Sequence, residues 1–121
     1  MKIEKITLNG YPMAAVSSEQ KLLTDSQSAL ELISTAKYEA GTKNIVLSKE
    51  LIAEEFFILS TGLAGEILQK FINYGARLAV YGDYSKYTSK PLKDFIYESN
   101  KGKDIFFAAS KEEACQMLAR N

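Results

Sequence analysis

The chain has 121 residues, 15 of them Lys or Arg and 15 Asp or Glu, so its formal net charge is zero. A dedicated nucleic-acid binder normally carries a basic excess, which argues against that class. Histidine is absent and cysteine occurs once, at Cys115, which excludes Ser-His-Asp triads, Cys-His pairs, His- or thiolate-ligated zinc and an intramolecular disulfide.

Met1–Gly10 shows no apolar signal region, so a reduced, cytoplasmic protein is expected. Ile6 and Leu8 alternate with polar neighbours, which predicts a first strand. Asn9-Gly10 tolerates positive φ and suits a two-residue turn. Tyr11–Ser17 then returns as the second strand of a hairpin, with Met13 and Ala15 on one face. Thr24 or Asp25 can cap a helix, whose apolar stripe is Ala29, Leu30, Ile33 and Ala36 and whose stop is Gly41. Ile45-Val46-Leu47 reads as a strand buried on both faces. Ala53–Phe57 fits either a single helical turn or an irregular loop, with Phe56 or Phe57 plugging the core.

Ser60-Thr61-Gly62 opens the next helix, with Leu63, Ile67, Leu68 and Phe71 inward and Gly75 at its end. Arg77–Tyr81 is the fourth strand. Tyr84–Ser89 is a polar, Tyr-rich loop, and Ser89-Lys90-Pro91 is a helix start, because proline is tolerated in the first turn. Leu92, Phe95 and Ile96 face inward, and Gly102 closes that helix. Ile105–Ala109 is the fifth strand and the longest apolar run, far short of the ~20 residues of a membrane span. Ser110 and Glu113 have capping-box spacing before a last helix lined by Ala114, Met117 and Leu118. The order β-β-α-β-α-β-α-β-α predicts one α/β domain over residues 1–121, with a mostly parallel five-stranded sheet that starts in a hairpin.

Ligands of open α/β sheets gather at the carboxyl ends of the strands. Two segments qualify. In the first, Ser60 and Thr61 precede Gly62 and Gly65. Their hydroxyls could cap the helix, bind an anion or accept a phosphate, and the glycines would let a partner approach the backbone. In the second, Asp83, Tyr84, Ser85, Lys86, Tyr87, Thr88, Ser89 and Lys90 crowd a carboxylate, two lysines, two tyrosines and three hydroxyls together, a density that suits recognition. A solvated loop with Asp83 as a turn residue is the plainer alternative. Glu54-Glu55 reads as a solvated pair, since adjacent carboxylates point apart. Cys115 reads as a small, partly buried thiol with no basic neighbour to activate it. Tyr97 and Glu98 are surface or a contact edge. A catalytic loop would use Asp83 as a base and Lys86 or Lys90 as an electrostatic clamp, but no nucleophile–base pair is evident, so no catalytic residue or cofactor is expected, and without His and with a single Cys no stoichiometric metal is expected.

Two resemblances follow from quoted residues. Leu59-Ser60-Thr61-Gly62-Leu63, Gly75–Val80 and Glu112-Glu113-Ala114 resemble landmarks of the STAS domain, the fold of anti-sigma-factor antagonists. That resemblance implies a regulatory, protein-binding module with Thr61 as phosphoacceptor and a kinase-like or other regulatory protein as partner. The family's Asp before the hydroxyl pair is Leu59 here, a departure at the phosphoswitch itself. Separately, Thr61–Phe71 and Tyr87–Asn100 resemble an uncharacterised bacterial family catalogued as a domain of unknown function. The alternative to the regulatory module is a small-ligand domain, with an anionic metabolite or nucleotide phosphate on the helix N-terminus at Thr61 beside Lys86 or Lys90. A flat surface near Thr61 would favour the first, and a concave pocket lined by aromatics and a lysine the second. Self-association is left open.

Overall fold

A computed structural model describes residues 1–120 as one α/β domain of five strands and four helices. The strands are β1 (Lys2–Leu8), β2 (Tyr11–Ser17), β3 (Asn44–Ser48), β4 (Arg77–Tyr81) and β5 (Ile105–Ala108). The helices are α1 (Ser26–Ala40), α2 (Leu63–Asn73), α3 (Lys90–Lys101) and α4 (Lys111–Ala119). The strands lie in the order β1-β2-β3-β4-β5.

The sheet is mixed, which corrects the expectation of a mostly parallel one. Its longest register, Lys2↔Ser17 through Leu8↔Tyr11, is antiparallel. It forms because Asn9 and Gly10 take positive φ, 53° and 82°, and reverse the chain in two residues. The three following pairings are parallel, and β2–β3 is the shortest, at Ala14↔Ile45 and Ala15↔Val46. At its start the Pro12 carbonyl is taken by side chains instead of a ladder: Thr42 Oγ1 donates at 3.1 Å and Asn44 Nδ2 at 3.0 Å.

The sheet separates two apolar layers. On one side Ala14, Ile45, Leu47, Leu78, Val80 and Phe107 pack with α1, α2, α3 and the segment after β3. On the other, Met13, Val46, Ala79 and Phe106 pack with α4. Strict alternation along β3 and β4 therefore sends successive side chains into different layers, which is why these strands read as unbroken apolar runs.

Several local expectations change. Leu32, more than Leu30, completes the buried stripe of α1 with Ala29, Ile33, Ala36 and Ala40. Asp25 is the cap, and it forms a reciprocal box with Ser28 that the sequence reading did not see: Ser28 N donates to Asp25 Oδ1 at 2.7 Å and Asp25 N to Ser28 Oγ at 3.0 Å. At α4 the box is not reciprocal. Ser110 Oγ accepts from Glu113 N, but the Glu113 carboxylate accepts from Ala109 N at 3.2 Å. The difficult stretch after β3 resolves into three short 3₁₀ turns, Lys49–Leu51, Glu54–Phe57 and Leu59–Thr61, and both Phe56 and Phe57 are buried.

One outer edge carries its own plug. Asn100, in the last turn of α3, donates from Nδ2 to the Phe107 carbonyl at 3.1 Å and accepts from Phe107 N at 2.8 Å. Its amide thus occupies the outward backbone groups that an edge strand would otherwise leave free.

Candidate functional site

The segments that follow β3 and β4 meet at the carboxyl end of the sheet. Tyr84 turns inward, donates its hydroxyl to the Val80 carbonyl at 2.8 Å and packs edge-on against Phe107 with centroids 6.0 Å apart. Burial raises its pKa far above the ordinary phenol value. Tyr84 is therefore an anchor for the loop. The anchored loop carries Tyr87 to Phe57, where the rings stack at 5.1 Å and 20°.

A hydrogen-bonded latch closes the contact. The Tyr87 hydroxyl donates to Glu54, at 2.8 Å to Oε1 and 3.1 Å to Oε2, and Lys86 Nζ lies 3.1 Å from Glu54 Oε1. The Tyr87 hydrogen bond, followed by Lys86, holds the Glu54 carboxyl below its ordinary pKa, against the opposing effect of burial. Burial, then the Glu54 contact, pushes Tyr87 up to about 12.

Beneath the latch lies Lys49, only 6% exposed. Its Nζ sits 5.6 Å from the Phe57 ring centroid and 5.2 Å from that of Tyr87, with Glu50 Oε1 at 3.5 Å. Two aromatic faces and one loose carboxylate thus offset part of the cost of burying the ammonium. Gly82 makes room for its stem: a methyl group on Gly82 would stand 2.7 Å from Lys49 Cγ and 2.8 Å from Cδ.

A cleft of about 380 Å³ opens between these segments. Phe57, Ile58, Leu59, Pro91 and Leu92 supply apolar wall, Tyr87 supplies ring, and Ser60, Lys86, Thr88 and Ser89 supply polar groups. Ser89 caps α3, accepting from Leu92 N at 3.4 Å, and no acidic residue stands in the first turn of α3. The positive end of α3 therefore points its polarity toward the cleft rim unopposed within that turn. Among the described residues, the hydroxyls of Ser60 and Thr88 have no protein hydrogen-bond partner.

The residues named from sequence divide accordingly. Ser60, Lys86, Tyr87 and Ser89 come together in the cleft. Thr61 is exposed but does not line it. Its Oγ1 lies 2.8 Å from the Glu55 carbonyl and 2.9 Å from that of Ile58, to either of which it donates, and it accepts from Leu63 N at 3.2 Å. Gly62 is left-handed, φ 79°, a conformation that favours glycine, and both Gly62 and Gly65 face open space. Asp83 is an exposed turn residue whose Oδ1 accepts from Ser85 N at 2.9 Å, and that contact lowers its pKa. Lys90 pairs with Asp94 at 2.7 Å. Sequence reasoning missed Glu54 and Lys49. Glu54 finds its partners more than 30 positions away, a distance no local pattern reports. Lys49 shows only in the glycine at position 82 that its stem requires.

Residues 8–118 match the family described as "Domain of unknown function (DUF4180)". The chain belongs to this family. The match spans every strand but most of β1, and it includes the whole cleft of the DUF4180 domain. No significant match was found among curated proteins or solved structures. Among the described residues of the domain, no helix is long and apolar enough to cross a membrane, and no group of three or more metal-ligating side chains converges.

Proposed function

We propose that the chain is a non-catalytic binding module whose ligand is small, with a flat apolar body and one anionic or strongly hydrogen-bonding group. The observation that carries this reading is the cleft between residues 57–60 and 86–92, which is concave, about 380 Å³, and built where two strand ends meet. That volume falls in the usual range for small-molecule sites, about 300–1,000 Å³. The apolar body would lie against Phe57, Tyr87, Pro91 and Leu92. The polar group would meet the unpartnered hydroxyls of Ser60 and Thr88, the start of α3 and Lys86. The Lys86 ammonium has three donors, so its exposed bond to Glu54 leaves two for a ligand.

This places the anionic group at Ser60 and α3, where the sequence pointed to Thr61 and α2. The regulatory alternative has less support from the geometry. Phosphorylation of Thr61 would have to dismantle the turn that its hydroxyl closes through Glu55, Ile58 and Leu63.

Amide chemical-shift mapping by NMR on the whole, isotope-labelled chain, with a set of aromatic carboxylates and nucleoside monophosphates, tests the proposal. The expected binders shift the amides of residues 57–60 and 86–92; Ser60→Ala weakens them by about three- to ten-fold, the value of a neutral hydrogen bond, and Lys86→Met by about ten-fold or more, that of a charged one. Binders that map elsewhere, or none at about millimolar concentration, would refute it.

A further inference from the structure

A second concave surface lies at the opposite end of the parallel strands. Lys43 precedes β3 and Tyr74 precedes β4, and both border a shallow groove of about 370 Å³ against α1. From α1 come Ile33 and Ser34, then Lys37 and Tyr38 one turn later, the spacing that places side chains on one helix face. Ile33 is buried and forms the floor. Tyr38 is 91% exposed and Tyr74 52% exposed, so both side chains are open to solvent beside the apolar floor.

The charged side chains that line this groove are all cationic. Five lysines elsewhere, Lys49, Lys86, Lys90, Lys101 and Lys111, each lie within 4.0 Å of a carboxylate. No carboxylate lines the groove. Among the described residues Lys37 has no ionic partner. Lys43 Nζ donates to the Tyr74 carbonyl at 2.7 Å, a neutral acceptor that leaves its charge uncompensated. Aromatic rings beside an apolar floor, flanked by unpaired cations, form an anchor site with a positive rim.

We infer that this α1 groove is a docking surface for an acidic peptide segment of another protein, with one apolar side chain seated on Ile33 between Tyr38 and Tyr74 and flanking carboxylates meeting Lys37 and Lys43. A second copy of this chain fits poorly. A two-fold contact sets the patch against itself, and would oppose lysines to lysines with no carboxylate between them. Nucleic acid is also disfavoured, because two lysines on a chain of zero net charge are a small footprint for a phosphate backbone. The groove is separate from the cleft, so this inference stands or falls without the ligand proposal.

The test uses the whole chain, immobilised, against a phage-displayed library of random peptides of about 12 residues, a length that spans such grooves. Enriched sequences are resynthesised with fluorescein and measured by anisotropy. The expected sequences are net negative around an apolar residue. Their binding weakens about ten-fold on Lys37→Glu and on Tyr38→Ser, and weakens further from about 0.05 to about 0.5 M salt. Both substituted side chains are exposed, and circular dichroism verifies that both variants fold. Enrichment of neutral or basic sequences, no enrichment over bare support, binding insensitive to both substitutions, or displacement of the acidic peptides by oligodeoxythymidylate at lower concentration would each overturn the inference.

Discussion

Replacing Gly82 by Ala puts a carbon 2.7 Å from Lys49 Cγ, 2.8 Å from Cδ and 3.2 Å from Cβ. Carbon atoms prefer about 3.5–4.0 Å, so all three contacts are repulsive. The crowded atoms are the root of the Lys49 side chain, which cannot swing aside without pulling its ammonium away from Phe57 and Tyr87. Overpacking of this kind costs about 1–3 kcal/mol. At about 2 kcal/mol the melting temperature of a chain of this length falls by roughly 6–10 °C. Urea denaturation followed by circular dichroism measures the loss, with the midpoint moving and the slope unchanged. The decisive comparison is a double-mutant cycle with Lys49→Ala. Removing the Lys49 stem vacates the space, so the cost of Gly82→Ala should drop by about 1–2 kcal/mol, a coupling typical of touching residues. The cost that remains reports what the backbone at Gly82, φ 159°, itself asks of the residue. An equal cost in both backgrounds, within about 0.5 kcal/mol, would refute the claim that Lys49 is why position 82 is glycine.

Asn100→Ala removes both bonds to the Phe107 backbone and should destabilise by about 1–3 kcal/mol, and light scattering should show more aggregation as the β5 edge is uncovered; unchanged stability and solubility would mean water replaces the amide. The Glu54 carboxyl is depressed in the folded state, so its contribution to stability is complete above its ordinary value of 4.5 and is lost as pH falls through the lower folded value. Tyr87 is raised, so its contribution is complete below 10.0 and is lost as pH rises toward about 12. Denaturant titrations across pH should therefore show both limbs, and Glu54→Gln should flatten the acid limb; an acid limb unchanged in that variant would place its origin elsewhere. Cys115 is buried and burial raises its thiol pKa, so a thiol reagent at neutral pH should label it only after denaturation, and rapid labelling of the native chain would contradict the packing of α4.

Local chemistry wrote most of the fold into the sequence. Asn9-Gly10 sets a turn that no distant contact has to enforce, Gly41 ends α1 in the left-handed conformation, and Ser89-Lys90-Pro91 starts α3. The apolar runs of β3, β4 and β5 needed only their own composition to mark them as buried strands. Each of these signals acts between residues a few positions apart, which is the range over which backbone preference and helix or strand periodicity operate. The choice between Ser28 and other partners for Asp25 was also local, but several residues there could cap, and only geometry selects among them.

Tertiary structure decided the rest, because the deciding partners are far apart in the chain. Glu54 and Glu55 are neighbours with the same chemistry, yet only Glu54 reaches Tyr87 and Lys86. Phe56 and Phe57 both enter the core, yet only Phe57 meets Tyr87 and borders the cleft. Ser60 and Thr61 were interchangeable as hydroxyls in the sequence. The left-handed turn at Gly62 separated them, closing Thr61 into its own 3₁₀ turn and leaving Ser60 on the cleft wall. Tyr84 and Tyr87 read alike in one loop, and one became an anchor because the Val80 carbonyl lay within reach of its hydroxyl. The sequence determined the elements and their order. Which side chains share a cleft was settled by the packing of the β3 and β4 connections against each other, since orientation around a site depends on contacts that close only when the strands are paired.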